Sequence, residues 1–256
     1  MNRQKLGQHY LVDRKVIDKM ISSAQIRPDE RILEIGTGRG TLTRGLVKLG
    51  ASLEGYEVDS RNFATTLEEV RDIRARIHLG DAFRESPRFD VLVSSLPYSR
   101  SADFVEWISQ IEYDRAVVLL QEDFVAKVMA APGTRDYRAV SAVAQASSEL
   151  NVLMKVGRGS FSPQPKVNSL IVSLRPIRRL SGAEVSMFKL LFSLRRREVV
   201  SAATELAVVL PMKDYARRRV YSLRPAEVLE ICAAQTHEGV EKPASQGGTS
   251  ARHPDE

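Results

Sequence analysis

The sequence predicts an α/β fold, a mainly parallel sheet covered by helices on both faces, followed by a small all-α C-terminal unit. Three observations predict it. Short apolar runs alternate with helical patterns from Arg31 to about Arg175, and such alternation favours parallel strands joined by crossover helices. Beyond Pro176 the strand-like runs stop and helical spacing takes over. The length, 256 residues, fits one large and one small unit at ~150 residues per domain.

The elements follow in order. Asp13 is placed to cap a helix carrying Val16, Ile17, Met20 and Ile21 on one face. Strand-like runs cover 31–35, 51–57, 75–79, 90–94, 115–120, 150–156 and 170–174, and helical stretches cover 40–49, 60–70, 101–110, 122–130 and 138–147. Met187, Leu190, Leu191 and Leu194 then fall at i, i+3, i+4 and i+7, the spacing of one helix face. The triplet Arg195, Arg196, Arg197 follows, then an Ala/Val/Leu-rich helix, then Arg217, Arg218 and Arg219. A last helix starts near Arg224, with Pro225 suited to its first turn. Residues 237–256 contain Gly, Ser and Pro with almost no apolar side chains and read as a disordered tail. The expected division is therefore 1–176, 177–236 and 237–256.

Composition excludes several classes. Hydrophobic residues at 43% and charged residues at 27% rule out disorder throughout. The single cysteine, Cys232, excludes a disulfide framework, and four histidines far apart give no metal-binding spacing, so no metal is expected. No apolar run approaches the ~18 residues of a membrane span. The first residues lack the apolar core of a signal peptide, so the cytoplasm is the expected location. A net charge of +6 and a pI near 9.5 permit a nucleic-acid partner. Residues 176–236 contribute much of it, with eleven Lys and Arg against six Asp and Glu.

The candidate site begins at Gly36, Gly38 and Gly40, where a strand hands over to a helix. Glycines there let the backbone turn tightly and approach a ligand. The dinucleotide fingerprint needs a glycine at 41, where this chain has Thr41. The turn therefore suits a nucleoside without a pyrophosphate. Glu57 ends the next strand and is placed to accept both ribose hydroxyls. Asp81 follows the third strand, placed to meet an adenine amine. Alone, each is an ordinary turn glycine or exposed acid; three strand ends in register fit S-adenosyl-L-methionine. Ser95, Leu96, Pro97 and Tyr98 close the fourth strand in the same row. Acceptors on the Ser95 hydroxyl and Leu96 carbonyl would draw a base amine toward tetrahedral geometry. Pro97 adds rigidity, and Tyr98 offers an aromatic face. A proline-bearing strand exit with a packed tyrosine is the plainer alternative.

The chain resembles the KsgA-type ribosomal RNA small-subunit adenine N6-dimethyltransferases. The resemblance is carried by Lys5-Leu-Gly-Gln-His-Tyr-Leu11, by 34–43, by 121–145, by Phe161-Ser-Pro-Gln-Pro-Lys-Val-Asn-Ser169 and by 188–198, and it runs from Lys5 to Ala234. It implies a Rossmann-like S-adenosyl-L-methionine-dependent methyltransferase domain with a helical RNA-binding domain. The implied activity is dimethylation of adjacent adenosines near the 3′ end of small-subunit ribosomal RNA, within the immature small ribosomal subunit, by a monomer. It further implies that His9 and Leu11 line the cofactor pocket with Gly36, Gly38, Glu57, Asp81 and Ser95, and that Phe161 stacks on a flipped-out adenine opposite Tyr98. The arginine triplets would clamp RNA phosphates; solvated helix faces are the plainer reading.

Two departures stand out. The family usually carries Asn where this chain has Ser95, whose hydroxyl reaches less far, and an apolar residue where it has Arg100. Arg100 could hold an RNA phosphate or be solvated. Ser95 supports an alternative, an RNA-binding ribosome assembly factor with weak or no catalysis; a large-subunit methyltransferase of the Erm resistance type is a third. Glu57→Ala is expected to abolish cofactor binding while leaving the fold intact.

Overall fold

Parallel strands buried on both faces need apolar side chains on both sides, and the central strands supply them. In the computed structural model, which describes residues 9–211 and 214–237, these are β2 (Arg31–Ile35), β3 (Ser52–Glu57), β5 (Val91–Ser95) and β6 (Arg115–Gln121), with β4 (Ala75–Leu79) at the sheet edge and without a buried residue. All pair in parallel. Two further strands, β7 (Ser148–Val156) and β9 (Ser169–Pro176), complete a sheet ordered β4-β3-β2-β5-β6-β9-β7, with β9 antiparallel to both neighbours. The mainly parallel sheet is thus as expected. Alternate residues divide between two cores: Val91, Val93, Val117 and Leu119 join one, while Leu92, Ala116, Val118 and Leu120 join the other.

The first core is covered by α1 (Arg14–Ala24) and α2 (Thr41–Val47). The Asp13 carboxylate accepts the Lys15 N–H at 3.0 Å, capping α1 as its sequence predicts. The far end of α1 is held by Arg115, which donates to the Ala24 and Gln25 carbonyls at 2.6 and 2.7 Å and pairs with buried Glu30 at 2.7 Å. That pairing holds the Glu30 carboxyl down to about 2.

The second core contains side chains from α4 (Ser101–Ile108) and α6 (Ala139–Ser147) and continues without a break into α7 (Gly182–Ser193), α8 (Val199–Leu206) and α9 (Pro225–His237). The remaining helices are α3 (Ser60–Glu69) and α5 (Glu122–Val128). One expectation is corrected here. The buried face of α7 is Val185, Phe188, Leu191 and Phe192, whereas Leu190 is exposed and Met187 and Leu194 are half-buried. Two overlapping apolar stripes exist, and the one bearing both phenylalanines buries more area. Helix α9 starts at Pro225 as expected. The expected tail from His237 begins inside that helix, and residues 238–256 lie outside the described residues, as do residues 5–8 of the N-terminal motif.

A feature too short for any periodic pattern is the two-stranded ladder of β1 (Tyr10–Leu11) with β8 (Phe161–Ser162), which pairs Leu11 with Phe161. It sits beside the place where the main sheet reverses direction. From β2 the chain proceeds outward to β3 and β4, then returns to β5 on the other side. Such a switch point opens a crevice at the carboxyl ends of the strands.

Candidate active site

The crevice is built from the ends of β2, β3, β4 and β5. Past β2, Gly36 donates its N–H to the Tyr56 carbonyl at 2.7 Å with φ +76°. That backbone conformation disfavours any side chain. Gly38, at φ +58°, donates its N–H to Glu57 Oε2 at 2.8 Å, and a Cβ there would meet the Tyr10 ring at 3.4 Å. The other Glu57 oxygen accepts the Asp59 N–H at 2.9 Å, where Asp59 caps α3. Glu57 is buried, and burial pushes its carboxyl up despite those backbone donors. Glu57 therefore holds the glycine turn as well as facing the cleft, so its removal takes an acceptor from that turn as well as from a ligand.

One cleft brings together His9, Gly36, Gly38, Glu57, Asp81, Ser95, Leu96, Pro97 and Tyr98. Leu11 lines an adjoining recess with Glu34 and Arg39. Glu34 is a residue whose chemistry sequence reasoning missed. Burial pushes its carboxyl up to about 8, with the Thr43 hydroxyl opposing and the Glu57 charge adding, and Oε2 has no hydrogen-bond partner. An unpaired buried acid in a recess invites a cationic group. Tyr10 was missed too: its hydroxyl donates to Asn62 Oδ1 at 3.1 Å while Arg39 lies 4.5 Å over its ring. Its sequence signal is its place in the Lys5–Leu11 motif.

Across the cleft, Ser95 ends β5 and the Pro97 ring lies close to Gly36. Tyr98 opens a short 3-10 turn, shares a 2.7 Å hydrogen bond with Ser169 Oγ, and has its hydroxyl pushed up by burial. His9 stands beside it, ring centres 5.6 Å apart, and its Nδ1 is 2.8 Å from the Pro163 carbonyl. Phe161 departs from expectation. It is buried against the β1–β8 ladder, and its ring meets Tyr98 edge-on at 69° and 6.4 Å, so the two rings do not form parallel walls of a base slot.

The arginine triplets are brought side by side, since Val199, Val220 and Tyr221 donate backbone N–H groups to Arg218, Arg197 and Arg195 carbonyls. They are not uniform. Arg218 pairs with buried Glu227 at 2.8 Å and also donates to the Ser222 carbonyl. Arg195 donates to the Arg135 carbonyl at 2.7 Å and lies 5.7 Å from the Tyr221 ring. Arg197 pairs with Glu205, and Arg219 donates to the Arg196 carbonyl. Arg196, Arg197, Arg217 and Arg219 are exposed. Arg218 thus ties the helical unit together through Glu227, with its side chain 40% exposed.

The profile of a family described as ribosomal RNA adenine dimethylase matches residues 1–219. A probable ribosomal RNA small subunit methyltransferase A of Pyrococcus abyssi is 35% identical over 240 residues, covering 89% of each chain. Its namesake in Thermotoga neapolitana is 29% identical over 237 residues, covering 90% of each. A solved dimethyladenosine transferase from Plasmodium falciparum shares the fold with a TM-score of 0.75 at 23% identity, over 90% of this chain and 98% of that one. The solved 23S rRNA methyltransferase ErmE gives 0.64 at 25% identity, over 88% and 98%.

Proposed function

Since the chain belongs to the ribosomal RNA adenine dimethylase family, we propose that its cleft performs N6-dimethylation of adjacent adenosines near the 3′ end of small-subunit ribosomal RNA. One observation carries this reading: the glycine turn, Glu57, Asp81 and Ser95–Tyr98 line one cleft at the carboxyl ends of four adjacent strands. The residues fit S-adenosyl-L-methionine. The positive-φ glycines admit close approach, Glu57 and Asp81 offer acceptors for a ribose and an adenine amine, and Glu34 offers an unpaired oxygen to a cationic group. When bound, the cofactor supplies an activated methyl group.

The chain's own residues then bind and orient. Glu57 accepts ribose hydroxyls while keeping the turn in place. Ser95 Oγ and the Leu96 carbonyl accept the hydrogens of the target amine, countering its delocalisation into the ring. Tyr98, anchored through Ser169, holds the base face. Phe161 buttresses Tyr98 in the present arrangement and must rotate or shift to stack on a base. Most of the rate comes from proximity and from acceptors placed in advance.

The exposed arginines Arg196, Arg197, Arg217 and Arg219 form the RNA-facing part of the helical unit, with phosphate contact setting affinity and shape setting register. Among the described residues no helix is long and apolar enough to cross a membrane, and no cluster of metal ligands occurs. We place the protein in the cytoplasm as a monomer acting on the immature small ribosomal subunit. The reading of a non-catalytic assembly factor rests on Ser95 alone and is not favoured.

The test is transfer of labelled methyl from S-adenosyl-L-methionine to unmethylated small subunits, with mass mapping of the product. Dimethyladenosine at the two adjacent positions is the expected result. Subunit binding without transfer would overturn it.

A further inference from the structure

Arg100 reaches into the cleft from the turn after Tyr98, and its contacts are specific. Its Nη2 donates to Asp81 Oδ2 at 3.1 Å, and its guanidinium carbon lies 4.6 Å over the Phe83 ring. Phe83 is itself backed by Trp107, ring centres 5.4 Å apart. The Arg100 Nε donates separately to Asp103 at 2.8 Å, one turn along α4. Asp81 and Phe83 both line the cleft, and Asp81 is the acceptor assigned above to the amine of the cofactor's adenine.

A guanidinium is planar, presents N–H donors in its plane and stacks through its face. An adenine amine edge offers the same two kinds of contact, an N–H donor in the plane and a flat face for stacking. Arg100 thus already makes, from within the chain, the hydrogen bond and the aromatic contact an incoming adenine would make. Asp81 is already engaged on both oxygens: Oδ1 also accepts the Phe83 N–H at 3.1 Å, and Arg84 adds a positive charge 3.8 Å from Oδ2.

We infer that Arg100 is an internal competitor for the adenine subsite and so sets the affinity of the cofactor and its demethylated product. This rests on the S-adenosyl-L-methionine reading of the cleft. Ligand entry breaks the Arg100–Asp81 and Arg100–Phe83 contacts but leaves the Asp103 tether, so the side chain pivots rather than escapes. Binding is weaker than the pocket's shape allows, and product leaves faster. An apolar residue at 100 would leave Asp81 and Phe83 open. Because the competing contact is a partly exposed ion pair, with Arg100 33% and Asp81 21% exposed, salt weakens it. Cofactor binding by the native protein therefore strengthens as salt rises, against the usual trend for charged ligands.

The experiment is calorimetric titration of the full chain with S-adenosylhomocysteine at low and high salt, for the native protein, Arg100→Leu and Arg100→Gln. Losing a partly exposed ion pair and a cation–π contact corresponds to roughly three- to thirtyfold tighter binding by both variants. Their affinities are expected to lose the rise with salt. Should Arg100→Leu fail to fold, Arg100→Gln carries the comparison. Equal or weaker binding by the variants would overturn the inference. Absence of binding by every folded protein would instead overturn the cofactor reading and take the inference with it.

Discussion

Ser95 and Arg100 flank the same proline turn, and each changes what the cleft can hold on its side. At Ser95 a short hydroxyl stands where a longer carboxamide would reach the target amine. Ser95→Asn is expected to raise methyl transfer about tenfold if one acceptor bond is gained in the transition state, read as single-turnover rate on unmethylated subunits. Glu57 has two duties, and Glu57→Gln separates them poorly: one of the two backbone N–H groups it serves loses its acceptor. Cofactor affinity should collapse, and stability should fall by about 1–3 kcal/mol, visible as a lower urea midpoint. Glu34 gives a pH signature. Its folded carboxyl is held up to about 8, against an ordinary value of 4.5. Between those values the folded state keeps a proton that the unfolded chain releases, so this group's contribution makes stability fall as pH rises through that window and level off above it. Glu34→Gln should flatten the decline in denaturation midpoints measured across the window; an unchanged slope would place the titration elsewhere.

Among the elements, the arginine triplets show how charge runs divide once folded. Arg218 pairs with Glu227, whose side chain is only 7% exposed, so Arg218→Ala leaves that buried carboxylate with Arg224 as its remaining cationic partner and should cost about 1 kcal/mol. Arg196→Glu should leave thermal unfolding unchanged while weakening RNA binding, with the salt slope reduced by about one for each phosphate no longer neutralised. Sequence could not tell these apart, because three consecutive arginines carry no mark of which one meets a carboxylate nine residues later. Strand and helix existence was legible throughout the sheet, because buried stretches such as 116–120 are continuous apolar runs and the glycine turn announces the first crossover. The burial of α7 was not, since Met187–Leu194 offers two overlapping stripes and only tertiary packing chooses between them. The β1–β8 ladder was invisible for a simpler reason: two residues have no period. Within the site, the row from Gly36 to Tyr98 was readable because each member follows a strand end. The Phe161 orientation and the Arg100–Asp81 pairing depend on side-chain rotamers that no spacing encodes.

For the whole molecule, the sheet and the helical unit share one continuous apolar core through α6, so strain in either is felt by the other. Mutations that loosen the α7–α9 packing should therefore lower the unfolding midpoint of the entire chain in one transition, measurable by calorimetry as a single peak rather than two. The β1–β8 ladder has a further consequence, in time. The Ser160 hydroxyl donates to the Asp13 carboxylate at 2.9 Å across a separation of 147 residues, and the ladder beside it fixes Leu11 against Phe161. On a ribosome still making this chain, the glycine turn and its flanking strands can emerge and collapse long before residue 161 leaves the exit tunnel. The wall behind Tyr98 waits for that late segment to return to the first. A nascent chain arrested before that point would carry the cleft's lining, all of it within residues 9–100, without the Phe161 pairing and the Ser169 bond that brace it, so the site is finished only when translation has passed residue 169.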